Sequence, residues 1–129
     1  MRLTPAVIEL VVADMSATVA FYRRLGLDLP DDVASEGHVE TTVGGLRLAF
    51  DTHEMIRSFD PQWSPPQGGH RVALAFEAPS PADVDAAYEE LTAAGAVGHL
   101  APFDAPWGMR YAVLVDPDGT PVDLFAGSV

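Results

Sequence analysis

The chain contains no cysteine, which excludes disulfides, iron–sulfur ligation and thiol catalysis and deprives a four-ligand structural zinc site of its usual donors. Positive charge is scarce as well. Seven Lys and Arg stand against nineteen Asp and Glu, a formal net charge of −12, and the seven form no basic run. Such a surface repels phosphate backbones, so nucleic acid is not an expected partner. No apolar run approaches the roughly eighteen residues of a membrane span. The N-terminus also lacks the basic stretch and apolar core of a signal peptide. The expectation is a cytoplasmic protein with no membrane partner. What is present is an ordinary globular composition of 129 residues, 48% hydrophobic and 20% charged, enough for one domain with a buried core.

The strongest internal pattern is a duplication. Residues near 5–51 and 70–126 each read as strand, helix, strand and then a hairpin closed by glycine, and the closing segments resemble each other: Gly44-Gly45-Leu46-Arg47-Leu48-Ala49-Phe50 beside Gly119-Thr120-Pro121-Val122-Asp123-Leu124-Phe125. The expected fold class is therefore α+β, two βαβββ modules in a single domain over 1–129, with residues 52–69 connecting them. Each module is an open sheet that buries its apolar face by pairing, which places the expected pocket between sheets.

Local signals support this organisation. Ala6 to Val12 is an apolar strand interrupted by Glu9 and followed by Asp14, a helix N-cap type. Met15, Val19, Tyr22 and Leu25 are spaced as the buried stripe of a helix over about 15–25, with Arg23 and Arg24 at the end where the helix dipole favours cations and Gly26 as the stop. Gly44-Gly45 joins strands over about 39–43 and 46–51. The connecting segment carries Met55, Ile56, Phe59 and Trp63, too many large apolar groups for a plain linker, and is expected to pack over a surface as a lid. A strand over 71–77 then leads to Ser80-Pro81, an N-cap and first-turn proline, and to a helix with Val84, Ala87, Tyr88 and Leu91 on its apolar face, ended by Gly95. Strands near 97–101, 109–115 and 122–125 close the module, the last two joined by Asp116-Pro117-Asp118-Gly119.

Phe21-Tyr22-Arg23-Arg24-Leu25-Gly26-Leu27 after the first strand, the strand Val72-Ala73-Leu74-Ala75-Phe76, and Asp116-Pro117-Asp118-Gly119 before Val122-Asp123-Leu124-Phe125 together resemble the vicinal oxygen chelate superfamily. That group includes glyoxalases, extradiol dioxygenases, fosfomycin-modifying enzymes and bleomycin-resistance proteins. The resemblance covers nearly the whole chain. It implies curved mixed sheets around an open cavity, often completed in a homodimer, and in many members a divalent ion held at four strand positions. Carried onto this sequence, those positions are Val7, Leu48, Arg71 and Asp123. Val and Leu offer no lone pair and Arg is a permanent cation, so of the four only Asp123 can coordinate, and no metal cofactor is expected. A shift of register by one would bring His70 beside Asp123 as a second metal candidate. Strand alternation opposes it, because His70 and Arg71 point to opposite faces. His53 and His99 occupy no ligand position.

In place of the metal, the expectation is that Arg71 and Asp123 face the cavity and pair, with Glu9 nearby because it shares the parity of Val7. Their alternative role is to satisfy one another as buried charge. Pro106-Trp107-Gly108-Met109-Arg110-Tyr111 is the second cluster: Trp107 can stack on a flat ligand and Gly108 allows close approach, whereas ordinary core packing is the competing reading for Trp107 and Tyr111. The cavity is expected to be lined by Leu48, Phe50, Trp107, Tyr111 and Phe125, with Trp63 and Phe59 covering it. Three functions follow: a metal-free protein binding a small apolar or aromatic molecule; a lyase, isomerase or dioxygenase using a divalent metal through His70, Asp123 and Glu9; or an idle dimeric homologue. Loss of ligands at Val7 and Leu48 favours the first over the second, and the retained charges favour it over the third.

Overall fold

A computed structural model of the protein describes residues 1–128. The described elements are β1 (Ile8–Val12), α1 (Met15–Arg24), β2 (His38–Val43), β3 (Leu46–Thr52), α2 (His53–Phe59), β4 (Leu74–Glu77), α3 (Pro81–Ala93), β5 (Val97–Asp104), β6 (Met109–Val115) and β7 (Pro121–Ser128). They form an α+β fold with two mixed sheets that do not close, and the chain divides into two units, Met1–Gln67 and Gly68–Val129. Among the described residues no helix is long and apolar enough to cross a membrane.

The first unit orders its sheet β1-β3-β2, with β1 parallel and β2 antiparallel to the central β3. Asp14 caps α1 by accepting a hydrogen bond from the Ala17 N–H at 3.0 Å, and Gly26, at φ 101°, turns the chain out of it. Gly44 and Gly45 both have positive φ, 56° and 82°, the condition for a two-residue hairpin of the tight primed type. Tyr22 of α1 lies on Phe50 of β3 with ring centroids 5.1 Å apart, and both are fully buried. That contact defines the helix side of the sheet. Residues 25–37, broken by Gly26, Pro30 and Gly37, occupy the chain position of an outer strand without forming one, and they bury Leu27, Leu29 and Val33 instead.

The connecting segment is partly helical. Thr52 caps α2 through the Met55 N–H at 3.1 Å. Trp63 folds back onto that helix, its ring 4.9 Å from His53 and 5.4 Å from the Arg57 guanidinium. Ile56 is buried, whereas Phe59 is 72% exposed.

The second unit has all four strands, ordered β4-β7-β6-β5. Ser80 caps α3, accepting from the Asp83 N–H at 3.2 Å, with Pro81 at the first helical position. Val84 and Leu91 of α3 are buried, as are Leu74, Ala112, Leu114, Val122, Leu124 and Ala126 of the sheet. The Tyr88 ring covers Gly98, where even a methyl group would collide with it. β4 is shorter than expected because its ladder begins at Leu74 opposite Val122. One step earlier on β7 stands Pro121, which has no N–H to give. β5 runs longer, to Asp104, as an edge strand that absorbs Pro102 through two register shifts.

Candidate functional site

Strand alternation gives the second sheet two chemically different sides. Arg110 points to the helix side, where its guanidinium forks onto Asp85 of α3 at 2.9 and 3.0 Å and reaches Asp104 at 3.1 Å. Tyr111 therefore points the other way, sharing its side with Phe125, opposite it on β7, and with Val113 and Asp123, the next pair along the ladder. From that diagonal position the Tyr111 hydroxyl donates a short hydrogen bond to Asp123 Oδ2. Burial first, and then this hydrogen bond, push the Tyr111 phenol up to about 12, so it remains a neutral donor across the physiological range.

Aromatic rings surround this pair. Phe103 of β5 stands opposite Tyr111, ring centroids 6.1 Å apart. The turn between β5 and β6 is closed by Ala105, whose N–H donates to Met109 O at 2.8 Å, and by Gly108 at φ 90°. It returns Trp107 to Tyr111 at 5.2 Å and an interplanar angle of 82°. Trp107 is nevertheless 60% exposed. A large indole held in place yet open to solvent is what a contact surface for a flat group requires.

The first sheet carries a separate polar network on the side away from α1. His38 Nδ1 lies 2.6 Å from Asp51 Oδ1, and Nε2 lies 3.0 Å from Glu40 Oε2. Arg47 clamps the other Glu40 oxygen from Nε at 3.1 Å and from its terminal nitrogen at 2.6 Å. Asp51 is buried. With a carboxylate at each ring nitrogen, both bonds form together as N–H donations when the His38 ring is protonated. Its hydrogen bond to Asp51, then that to Glu40, raise its pKa above the ordinary histidine value. His38 and Arg47 in turn lower that of Glu40. None of these residues is among those expected in the site from the sequence, although the two-residue Gly44-Gly45 turn sets the pairing that puts His38 opposite Asp51.

Of the residues expected in the site, the structure brings together Trp107, Tyr111 and Asp123, with Phe125 beside them. Leu48 and Phe50 depart from the expectation. They share the α1 side with Ile8, Leu10 and Val12, and both are buried there as core. The side that Glu9 shares is instead set by Ala49, its partner on β3, and by Arg47 and Asp51. Glu9 itself is exposed. Arg71 departs as well. It is exposed beyond the start of β4 and forms no ion pair with any described residue, so the expected Arg71–Asp123 bridge is replaced by the bond from Tyr111. His70 lies beside Gly119 at the β6–β7 turn. His53 stacks on Trp63, and His99 is exposed on β5.

With Leu48 turned to the helix side, the β3 side chains on the side of Glu9 are Ala49, which has no lone pair, the cationic Arg47, and Asp51, whose Oδ1 is bonded to His38. Among the described residues no three His, Cys, Asp or Glu side chains are grouped to hold a metal.

Comparison with known proteins agrees with this architecture. The family model for the Glyoxalase/Bleomycin resistance protein/Dioxygenase superfamily matches residues 4–124. No curated protein matches the chain. Among solved structures, a glyoxalase/bleomycin resistance protein/dioxygenase from Nocardioides is 31% identical, with a TM-score of 0.76 over 99% of this chain and 85% of that one. A family enzyme from Burkholderia phytofirmans PsJN is 23% identical, with a TM-score of 0.81 over 95% and 97% of the two chains. A lactoylglutathione lyase from Agrobacterium tumefaciens is 22% identical, with a TM-score of 0.70 over 98% and 96%. The last two show a likeness of fold alone. With a family model spanning nearly its full length and a relative of this identity covering it, the chain belongs to the glyoxalase/bleomycin resistance protein/dioxygenase superfamily.

Proposed function

We propose that this superfamily member binds a small apolar or aromatic molecule without a metal ion, on the face built by Trp107, Tyr111 and Asp123. The observation that carries the reading is the held yet exposed indole of Trp107, packed at nearly a right angle against Tyr111, whose hydroxyl is bonded to the Asp123 carboxylate. Flat ligands gain area and ring contact from such a surface, while Asp123 supplies orientation. Replacing the four metal positions of the family by a donor set with one usable oxygen supports binding over metal-assisted chemistry. The protein is expected to act as a homodimer, since closed twofold dimers are the commonest oligomers.

Titration of the purified chain with a panel of aromatic antibiotics and small aromatic acids tests the reading, with Trp107→Ala alongside. Binding that weakens on loss of the indole supports it; a panel that binds nowhere, or equally well without Trp107, refutes it. Elemental analysis after purification without chelator tests the metal-free part, and a stoichiometric divalent ion would overturn it. Light scattering that shows only monomer at micromolar concentration would remove the dimer.

A further inference from the structure

Among the described residues, the Asp123 carboxylate has a hydrogen-bond donor, Tyr111, but no ion-pair partner. Tyr111 donates as a neutral phenol and so cancels none of its charge. Residues 68–129 contain two arginines, Arg71 and Arg110, no lysine, and two histidines, His70 and His99. Arg110 is on the opposite side of the sheet, committed to Asp85 and Asp104. Arg71 lies off the end of β4, exposed and unpaired with any described residue. The same stretch holds nine Asp and Glu, within a chain of net charge −12, so the surrounding field attracts cations and repels anions. Tyr111, bonded to the carboxylate, carries Trp107 against it at nearly a right angle, and the indole is 60% exposed. A π face attracts a cation through the same quadrupole that makes it a poor neighbour for an anion.

We propose that this face selects cationic ligands: an organic ammonium or amidinium group carried on an aromatic or apolar body, with the cation on Asp123 and the body against Trp107. The proposal rests on the binding function above and adds the sign of the ligand charge. The carboxylate offsets the cost of desolvating the cation, and the rings accept the rest of the molecule.

The test uses three probes of similar size, phenethylammonium, 2-phenylethanol and phenylacetate, titrated into the full chain by calorimetry or by chemical-shift changes. The cation is expected to bind about ten-fold more tightly than the alcohol, and phenylacetate least well. Added salt should narrow the gap. In Asp123→Asn, which keeps an acceptor for the Tyr111 hydroxyl, the preference should fall to within about two-fold. If that variant does not fold, the order in which the three probes bind the parent chain and its narrowing with salt decide the proposal. Equal binding of all three probes overturns charge selection while the binding reading stands. Tightest binding of phenylacetate also overturns it and points to Arg71. Absence of binding by all three, together with failure of the aromatic panel, overturns both.

Discussion

Replacing Tyr111 by Phe removes one hydroxyl and keeps the ring, so its contacts with Phe103 and Trp107 survive while Asp123 loses its donor. A hydrogen bond to a charged group contributes about 1.5–3 kcal/mol net. Both partners are only part-buried, and water can replace some of the lost bond. The expected destabilisation therefore lies toward the lower end, about 1–2 kcal/mol. For a chain of this length that corresponds to a fall in Tm of about 3–10 °C. Urea unfolding followed by circular dichroism measures the difference directly. Its pH dependence supplies a second check. The folded-state pKa of Tyr111 is raised from 10.0 to about 12. The stabilisation is therefore fully present below the unfolded value of 10.0 and is lost as pH rises through the folded value of about 12. The gap between the parent and Tyr111→Phe should be constant from neutral pH up to the lower value and close above it. A gap below about 0.3 kcal/mol at neutral pH, or one that does not close in alkali, would refute the claim that this bond is formed and fixes Asp123.

Other outcomes follow from the same geometry. Phe50→Ala should cost about 3–5 kcal/mol, because the ring is wholly buried against Tyr22; a variant that stays folded and loses only ligand affinity would return Phe50 to the cavity. Arg71→Ala should change stability by less than about 0.5 kcal/mol in urea unfolding, since the side chain is exposed and pairs with no described residue. His38, with its pKa raised by Asp51 and Glu40, contributes stability that is fully present below its unfolded value of 6.5 and lost as pH rises through the higher folded value. Thermal melts of the parent should show that loss, His38→Ala should flatten it, and an NMR titration midpoint for His38 at or below 6.5 would contradict the network.

The sequence by itself determined the local elements, because the forces that make them act between near neighbours. Asp14 and Ser80-Pro81 start their helices through groups three residues away, Gly44-Gly45 closes a hairpin through its own backbone torsions, and the Met15, Val19 and Tyr22 stripe is buried as its spacing requires. The duplication and its family likeness were legible for the same reason, being patterns of spacing. Alternation also separates each strand into two sets of side chains, but it carries no label for which set meets a helix. Leu48 and Phe50 form the apolar set of β3, which by alternation alone suits a cavity wall as well as a helix contact, and only the packing of Tyr22 on Phe50 decides between them. Arg71 fell outside the site because the parallel ladder starts at Leu74, a limit set by a strand nearly fifty residues away in the chain. The partner of Asp123 was likewise a matter of tertiary register. Tyr111 reaches it diagonally across an antiparallel pair, and the conversion of a supposed ion pair into a phenol–carboxylate pair follows from where two distant segments come to lie, which no local rule specifies.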